Sequence, residues 1–105
     1  MTLEELNTVL QNTELPVAYL AFPADDVPTM PFVVYQETGS DNFGADNIVW
    51  ASAMMIQIDL LCKKKSRATE ELLEQTLTDA GIYWERESYH ESDDDFYRTT
   101  YTCEI

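Results

Sequence analysis

The order of elements written into this sequence predicts an α+β fold. Two helices pack on one face of a largely antiparallel sheet, in the order α-β-β-β-α-β-β, with a long extended β-hairpin. Three observations carry that reading. Two segments show helical periodicity behind capping residues, and five show the β-favouring composition of strands. One of the five, Ile48 to Cys62, runs for fifteen residues, well beyond the roughly five or six usual for a strand. At 105 residues the chain fits a single domain, 1–105, with one core.

Thr2 followed three residues later by Glu5 has the form of a capping box, and Leu3, Leu6 and Leu10 mark one face of a first helix over about 2–12. "ELPVAYLAF" (14–22) is a short apolar segment entered through Pro16, read as an edge strand. In "PADDVPTMP", Pro23, Pro28 and Pro31 exclude regular hydrogen-bonded structure and predict a surface loop. "FVVYQET", Phe32 to Thr38, is the next strand, and Gly39 to Asn47 reads as a glycine-punctuated loop. In the long strand Ile48, Trp50, Met54, Ile56, Ile58, Leu60 and Cys62 share one face, interrupted only by Ser52. Fully extended, it spans roughly 50 Å, against a radius of gyration of about 13 Å for a 100-residue domain, so it either bends sharply or projects as a hairpin. Ser66 caps a second helix over about 67–80, whose inward face is Leu72, Leu73, Thr76, Leu77 and Ala80, and Gly81 stands where a helix stops. "IYWERESYHE" and "FYRTTYTCEI" close the chain as two strands around the turn Ser92 to Asp95. Trp50, Trp84, Tyr83, Tyr89, Tyr97 and Tyr101 offer more aromatic surface than two short helices hide, which favours self-association.

Asp and Glu number 20 against 6 Lys and Arg, a formal net charge of -14. Binding to a phosphate backbone relies on basic groups, so no sequence-specific or nonspecific nucleic-acid binding is expected. The one basic run, Lys63 to Arg67, is too short to reverse this and reads as a strand-to-helix corner ahead of a partner contact. The N-terminus lacks the pattern of a leader, and no window approaches the roughly eighteen apolar residues of a membrane span, so the protein is expected to stay where it is made, with no membrane partner. Cys62 and Cys103 lack metal-ligand spacing and read as reduced core thiols.

Signs of catalysis are few. His90, the single histidine, has no local nucleophile signature beside it and reads as a solvated strand residue. "SDDDF" (92–96) lacks the alternating spacing of a calcium loop and reads as a charged hairpin turn. "GSDNFGADN" is not a phosphate loop, because it precedes a strand and has no Lys after its glycine. It reads either as a plain hairpin loop or as a contact loop, and Phe43 tips the balance toward contact, since an aromatic at a polar tip loses solvation unless covered. No enzyme activity, cofactor or metal is expected.

Taken together, "LPVAYLAFP", "MPFVVYQETGSDNFGADN" and "DLLCKKKSRATEELLEQTLTDAGIYWERE" resemble a family of small proteins from tailed phages and prophages, over about Leu15 to Ile105. The family is that of tail-completion, tail-terminator or head-tail joining proteins of long-tailed phages. The resemblance implies a virion protein of the tail or neck, made in the bacterial host cytoplasm and assembled with itself, as a hexameric ring, on the end of the tail tube. Its partners are then the tail tube protein and the neck or connector proteins. It also implies a contact surface of Asp41, Asn42, Phe43, Gly44, Ala45, Asp46 and Asn47, with Trp50 on the strand that braces them. Through such a ring DNA passes, and an acidic lumen keeps its backbone from sticking, so Asp93, Asp94 and Asp95 are expected to line or rim the channel. Two alternatives stand beside this: another neck or minor capsid protein, and an acidic DNA-mimic inhibitor of a host nucleic-acid-binding protein. The inhibitor would require carboxylates regularly spaced along one helix or strand face.

Overall fold

A computed structural model describes every residue of the chain except Asp46, and every side chain except those of Asp46, Phe43, Ala45, Val49, Trp50 and Ala51. The order is α1 (Leu3–Gln11), β1 (Val17–Tyr19), β2 (Phe32–Ala45), β3 (Ile48–Cys62), α2 (Arg67–Asp79), β4 (Trp84–Glu91) and β5 (Phe96–Glu104). This is the predicted α+β order. The five strands form one sheet in the order β1-β2-β3-β5-β4. All pairings are antiparallel except that of β1 with β2, which makes the sheet mixed. β3 and β4 run parallel with β5 slotted between them, so α2 forms the crossover that a parallel pair requires.

Local chemistry explains where the helices begin and end. The Thr2 hydroxyl accepts the Glu5 N–H at 3.1 Å while the Glu5 carboxylate accepts the Thr2 N–H at 3.2 Å, completing the capping box of α1. Ser66 accepts the Thr69 N–H at the start of α2. At its end Gly81 takes φ +78°, its N–H donates to the Thr78 carbonyl, and the Ile82 N–H reaches back to Leu77. That pair of bonds is the Schellman motif, and Ile82 is buried in the core, supplying its apolar contact.

The core lies between the helices and one face of the sheet. Leu6, Leu10, Leu73 and Leu77 come down from above, and Val33, Ile56, Ile58, Leu60 and Tyr101 meet them fully buried. The alternation expected for β3 therefore holds from Met54 to Cys62. It fails at Ile48, which is 61% exposed, because no helix covers that end and the pairing skips Trp50 between Ala51 and Val49. On α2 the inward face also differs from expectation. Leu72 is exposed, and Glu70 and Glu74 are buried in its place.

The sheet face turned away from the helices must be polar or covered. Part of it is covered by the chain itself: Phe22 and Met30 of the proline-rich loop pack on Phe32, Val34, Leu61 and Phe96. A second correction concerns Gly39 to Asn47. This is not an open loop, because β2 continues in register with β3 as far as Ala45, which pairs with Ile48. Backbone pairing with a strongly β-favouring partner outweighs the turn preferences of Gly, Asp and Asn. Thr38 and Trp50 are accommodated as bulges, which add local twist.

Candidate assembly surface

The half of the β2–β3 hairpin nearest its turn leaves the body of the protein. β5 stops where Met54 and Ile105 exchange both backbone hydrogen bonds at 3.0 Å, and β1 stops at Tyr19, opposite Tyr35. Beyond these points, among the described residues, Ser40–Ala45 and Ile48–Ala53 pair only with each other. Six residues of β3 carry this two-stranded ribbon about 20 Å past the body. The molecule measures 49 × 28 × 24 Å with a radius of gyration of 14.9 Å, above the roughly 13 Å of a compact 100-residue domain. Of the two outcomes open to so long a strand, projection is the one adopted.

Within the ribbon, the Ser52 hydroxyl donates to Asn42 Oδ1 at 2.6 Å across the strands. Asn47 turns the chain with φ +62°, in the left-handed region that Asn tolerates better than most residues. Asp41, Asn42, Gly44, Asn47 and Ile48 are exposed. Phe43, Ala45 and Trp50 contribute backbone to the ribbon while their side chains lie outside the described residues, as does Asp46 entirely.

Asp93, Asp94 and Asp95 lie at the other end of the molecule. They form the exposed β4–β5 turn, beside the end of β3 where Tyr97 pairs with Cys62. The structure therefore brings the loop residues together and sets the acidic turn apart from them by the length of β3. Asp95 Oδ1 meets His90 Nε2 at 2.9 Å. That hydrogen bond, helped by the nearby Lys63 charge, holds the Asp95 carboxyl below its usual value.

The distribution of positive charge was not legible in advance. Five of the six basic side chains are tied to the chain's own oxygens. Lys63 donates to the Asp94 and Asp95 carbonyls, Lys65 and Arg67 hold Glu70 at 2.8 and 2.7 Å, Arg86 holds Glu74 at 2.7 Å, and Arg98 bridges Asp59 and Glu91. The basic run at Lys63 to Arg67 is thus a structural corner, as expected. Tyr101 donates to Glu74 at 2.8 Å from below. Burial pushes the Glu74 carboxyl up, but the bonds from Tyr101, Arg86 and Arg67 outweigh it and hold the group below its ordinary value. A sequence cue existed in Arg67, Glu70 and Glu74, spaced to meet along one helix face. With these cations engaged inward, the surface left to partners is strongly acidic.

Two concave surfaces adjoin the ribbon and the open face. A cleft of about 500 Å³ at the ribbon's root is lined by Met55, Tyr83, Glu85 and Glu104 among others. Its Glu104 carboxyl is raised by a hydrogen bond shared with Asp41, with desolvation and like-charge repulsion adding to the effect. On the open sheet face a groove of about 380 Å³ runs from Leu20, Phe22 and Val27 to Asp59 and Arg98. Asp59 is buried there and satisfied, accepting from Thr100 at 2.6 Å and Gln57 at 3.1 Å. No helix among the described residues is long and apolar enough to cross a membrane. No protein-family model matches the chain, and no curated protein matches it significantly.

Proposed function

We propose that this chain is a structural virion protein that assembles as a ring at the head-proximal end of a phage tail tube, ends tube growth and presents the surface on which a filled head docks. The observation that carries the reading is the projecting β2–β3 ribbon. A two-stranded hairpin standing alone in water is marginal, and this one extends from a body whose core includes none of the ribbon's described side chains. Its length is accounted for when a neighbouring subunit, the tail tube or the neck completes it. The acidic surface fits a channel that DNA must cross without adhering. In this reading the ribbon faces the tube or the next subunit, and Asp93 to Asp95 rim the lumen at the far end.

The inhibitor reading is less well supported. On the open face of β4, Glu85 and Glu87 are neighbours two residues apart, but Tyr89 interrupts the row and Arg98 holds Glu91. Two carboxylates make too short a row to imitate a phosphate backbone.

Electron microscopy of lysates after deletion of the gene from its phage or prophage tests the proposal. Tails of uncontrolled length beside separate, filled heads are expected. Infectious particles with normal tails would overturn it.

A further inference from the structure

The ribbon has two open edges, and they are built differently from the outer edges of the sheet. Because Met54 exchanges hydrogen bonds with Ile105, Ser52, two residues along, turns its N–H and C=O to the same side, away from β2. Asn42 is its register partner on β2, in a pair that does not exchange backbone hydrogen bonds, so its own N–H and C=O point out of the opposite edge. Among the described residues nothing pairs with either. Unpaired edges of this kind are templates for a further strand, and proteins protect them with charge, proline or shortness. The outer strands have that protection: β4 carries Glu85, Arg86, Glu87 and Glu91, and β1 is three residues long behind Pro16. The β3 edge of the ribbon has none of it: residues 48–58 contain no charged side chain in a chain that is 25% charged, and the β2 half carries a single acid, Asp41, among its described side chains.

From this we infer that the ribbon binds further copies of this chain by strand addition, the β3 edge of one copy pairing with the β2 edge of the next. Ribbons standing side by side with their turns pointing the same way bring β3 against a neighbouring β2 in antiparallel orientation, because the two strands are antiparallel within each ribbon. A single foreign strand fills one edge and leaves the other open, whereas repetition of the same ribbon fills both. Charge points the same way. Two copies, each at -14, approach most closely along the surface that carries least charge, which is the ribbon with Asp41 as its one described acid, and a basic partner would be drawn instead to the acidic β4 edge. Closure of the repeat into a ring rests on the function proposed above, but the pairing itself does not.

The test uses Ser52→Pro and Asn42→Pro, each of which removes one outward N–H and none that pairs within the ribbon. Sedimentation is measured at rising protein concentration and at high salt, where screening relieves the repulsion between acidic bodies. Wild type is expected to associate beyond a dimer and each variant alone to remain monomeric. An equimolar mixture of the two variants is expected to stop at a dimer, since one retains only a β2 edge and the other only a β3 edge. A monomeric wild type, a wild type that stops at dimers, or variants that associate as wild type does would each overturn the inference. If a proline variant loses its circular-dichroism signature, amide exchange on wild type decides instead. The Asn42 and Ser52 amides must slow together as concentration rises, and unchanged rates reject the pairing. Edge pairing with normal tails after gene deletion would sink the virion role alone, while overgrown tails without edge pairing would sink this inference alone.

Discussion

The body and the ribbon are made from the same two strands and differ in what covers them. From Phe32 to Glu37 and from Met54 to Cys62, β2 and β3 have helices above, and part of their lower face lies under the proline-rich loop. Leu60, Ile58 and Ile56 are wholly buried there. Past Met54 the strands continue with the same pairing but, among the described residues, no layer lies on either side, and Ile48 is mostly exposed. In the body, hydrogen bonds come with burial and hold a fixed structure. In the ribbon they come almost alone, and a two-stranded hairpin without a covering layer is marginal in water.

Substitution in each half sharpens that contrast. Leu60→Ala leaves a cavity in the core and is expected to cost about 2–5 kcal/mol, lowering the melting temperature by about 8 °C or more at about 4–8 °C per kcal/mol. Glu74→Ala strands Arg86 and the Tyr101 hydroxyl and is expected to cost about 3 kcal/mol, most of which Glu74→Gln recovers if hydrogen bonding matters more than charge. Ile48→Ala, in the ribbon, should stay within about 0.5 kcal/mol. A large loss at Ile48 in dilute protein would break the distinction between the two regions.

Acid should separate them as well. The Glu74 pKa is held below its unfolded value, so its contribution is present above that value, near 4.5, and is lost as pH falls through the folded one. Glu104 has the opposite sign. Its pKa is raised beside Asp41, so the favourable state is the protonated one, present at low pH and lost as pH rises through the raised value. Lowering the pH toward that value should slow amide exchange at the ribbon's root while the melting temperature of the body holds, and further acid should then unfold the body. Exchange at the root that quickens as pH falls, after correction for its intrinsic rate, would contradict the shared-proton account.

The smallest effect concerns the thiols. Burial pushes the Cys103 thiol up to about 11, and burial with the nearby Glu70 charge raises that of Cys62. Cys62 stands opposite Tyr97 and Cys103 opposite Ile56, six residues apart along β3 and about 20 Å, far beyond disulfide reach. Neither thiol should react with a thiol reagent at neutral pH until the body unfolds.

Much of the body could be read in advance because its signals are local. Thr2 with Glu5, Ser66 and Gly81 mark helix ends by hydrogen bonds within four residues, and period-two alternation fixed the buried face of β3. What escaped depends on distant partners. The segment Gly39 to Ala45 carries turn formers and becomes strand only because β3 lies beside it. Glu70 and Glu74 look like surface acids until Arg86 and Tyr101, more than ten residues away, come under α2. The segment expected to make contact reads as a loop in the sequence, whereas its backbone is a paired strand as far as Ala45. Asp93 to Asp95 were correctly read as a turn, and their distance from the ribbon follows only from the order of strands in the sheet.

If the ribbon serves assembly alone, as proposed, the body folds without it. Replacing residues 42–52 with a two-residue Asn-Gly turn, a sequence suited to tight hairpins, closes the chain on the hydrogen-bonded pair Asp41 and Ala53, removes the ribbon beyond it and leaves the body's pairings in place. The shortened chain should keep a melting temperature within a few degrees of wild type and, in place of the native gene, give overgrown tails and unjoined heads. A shortened chain that yields tails of normal length joined to heads would contradict the claim directly.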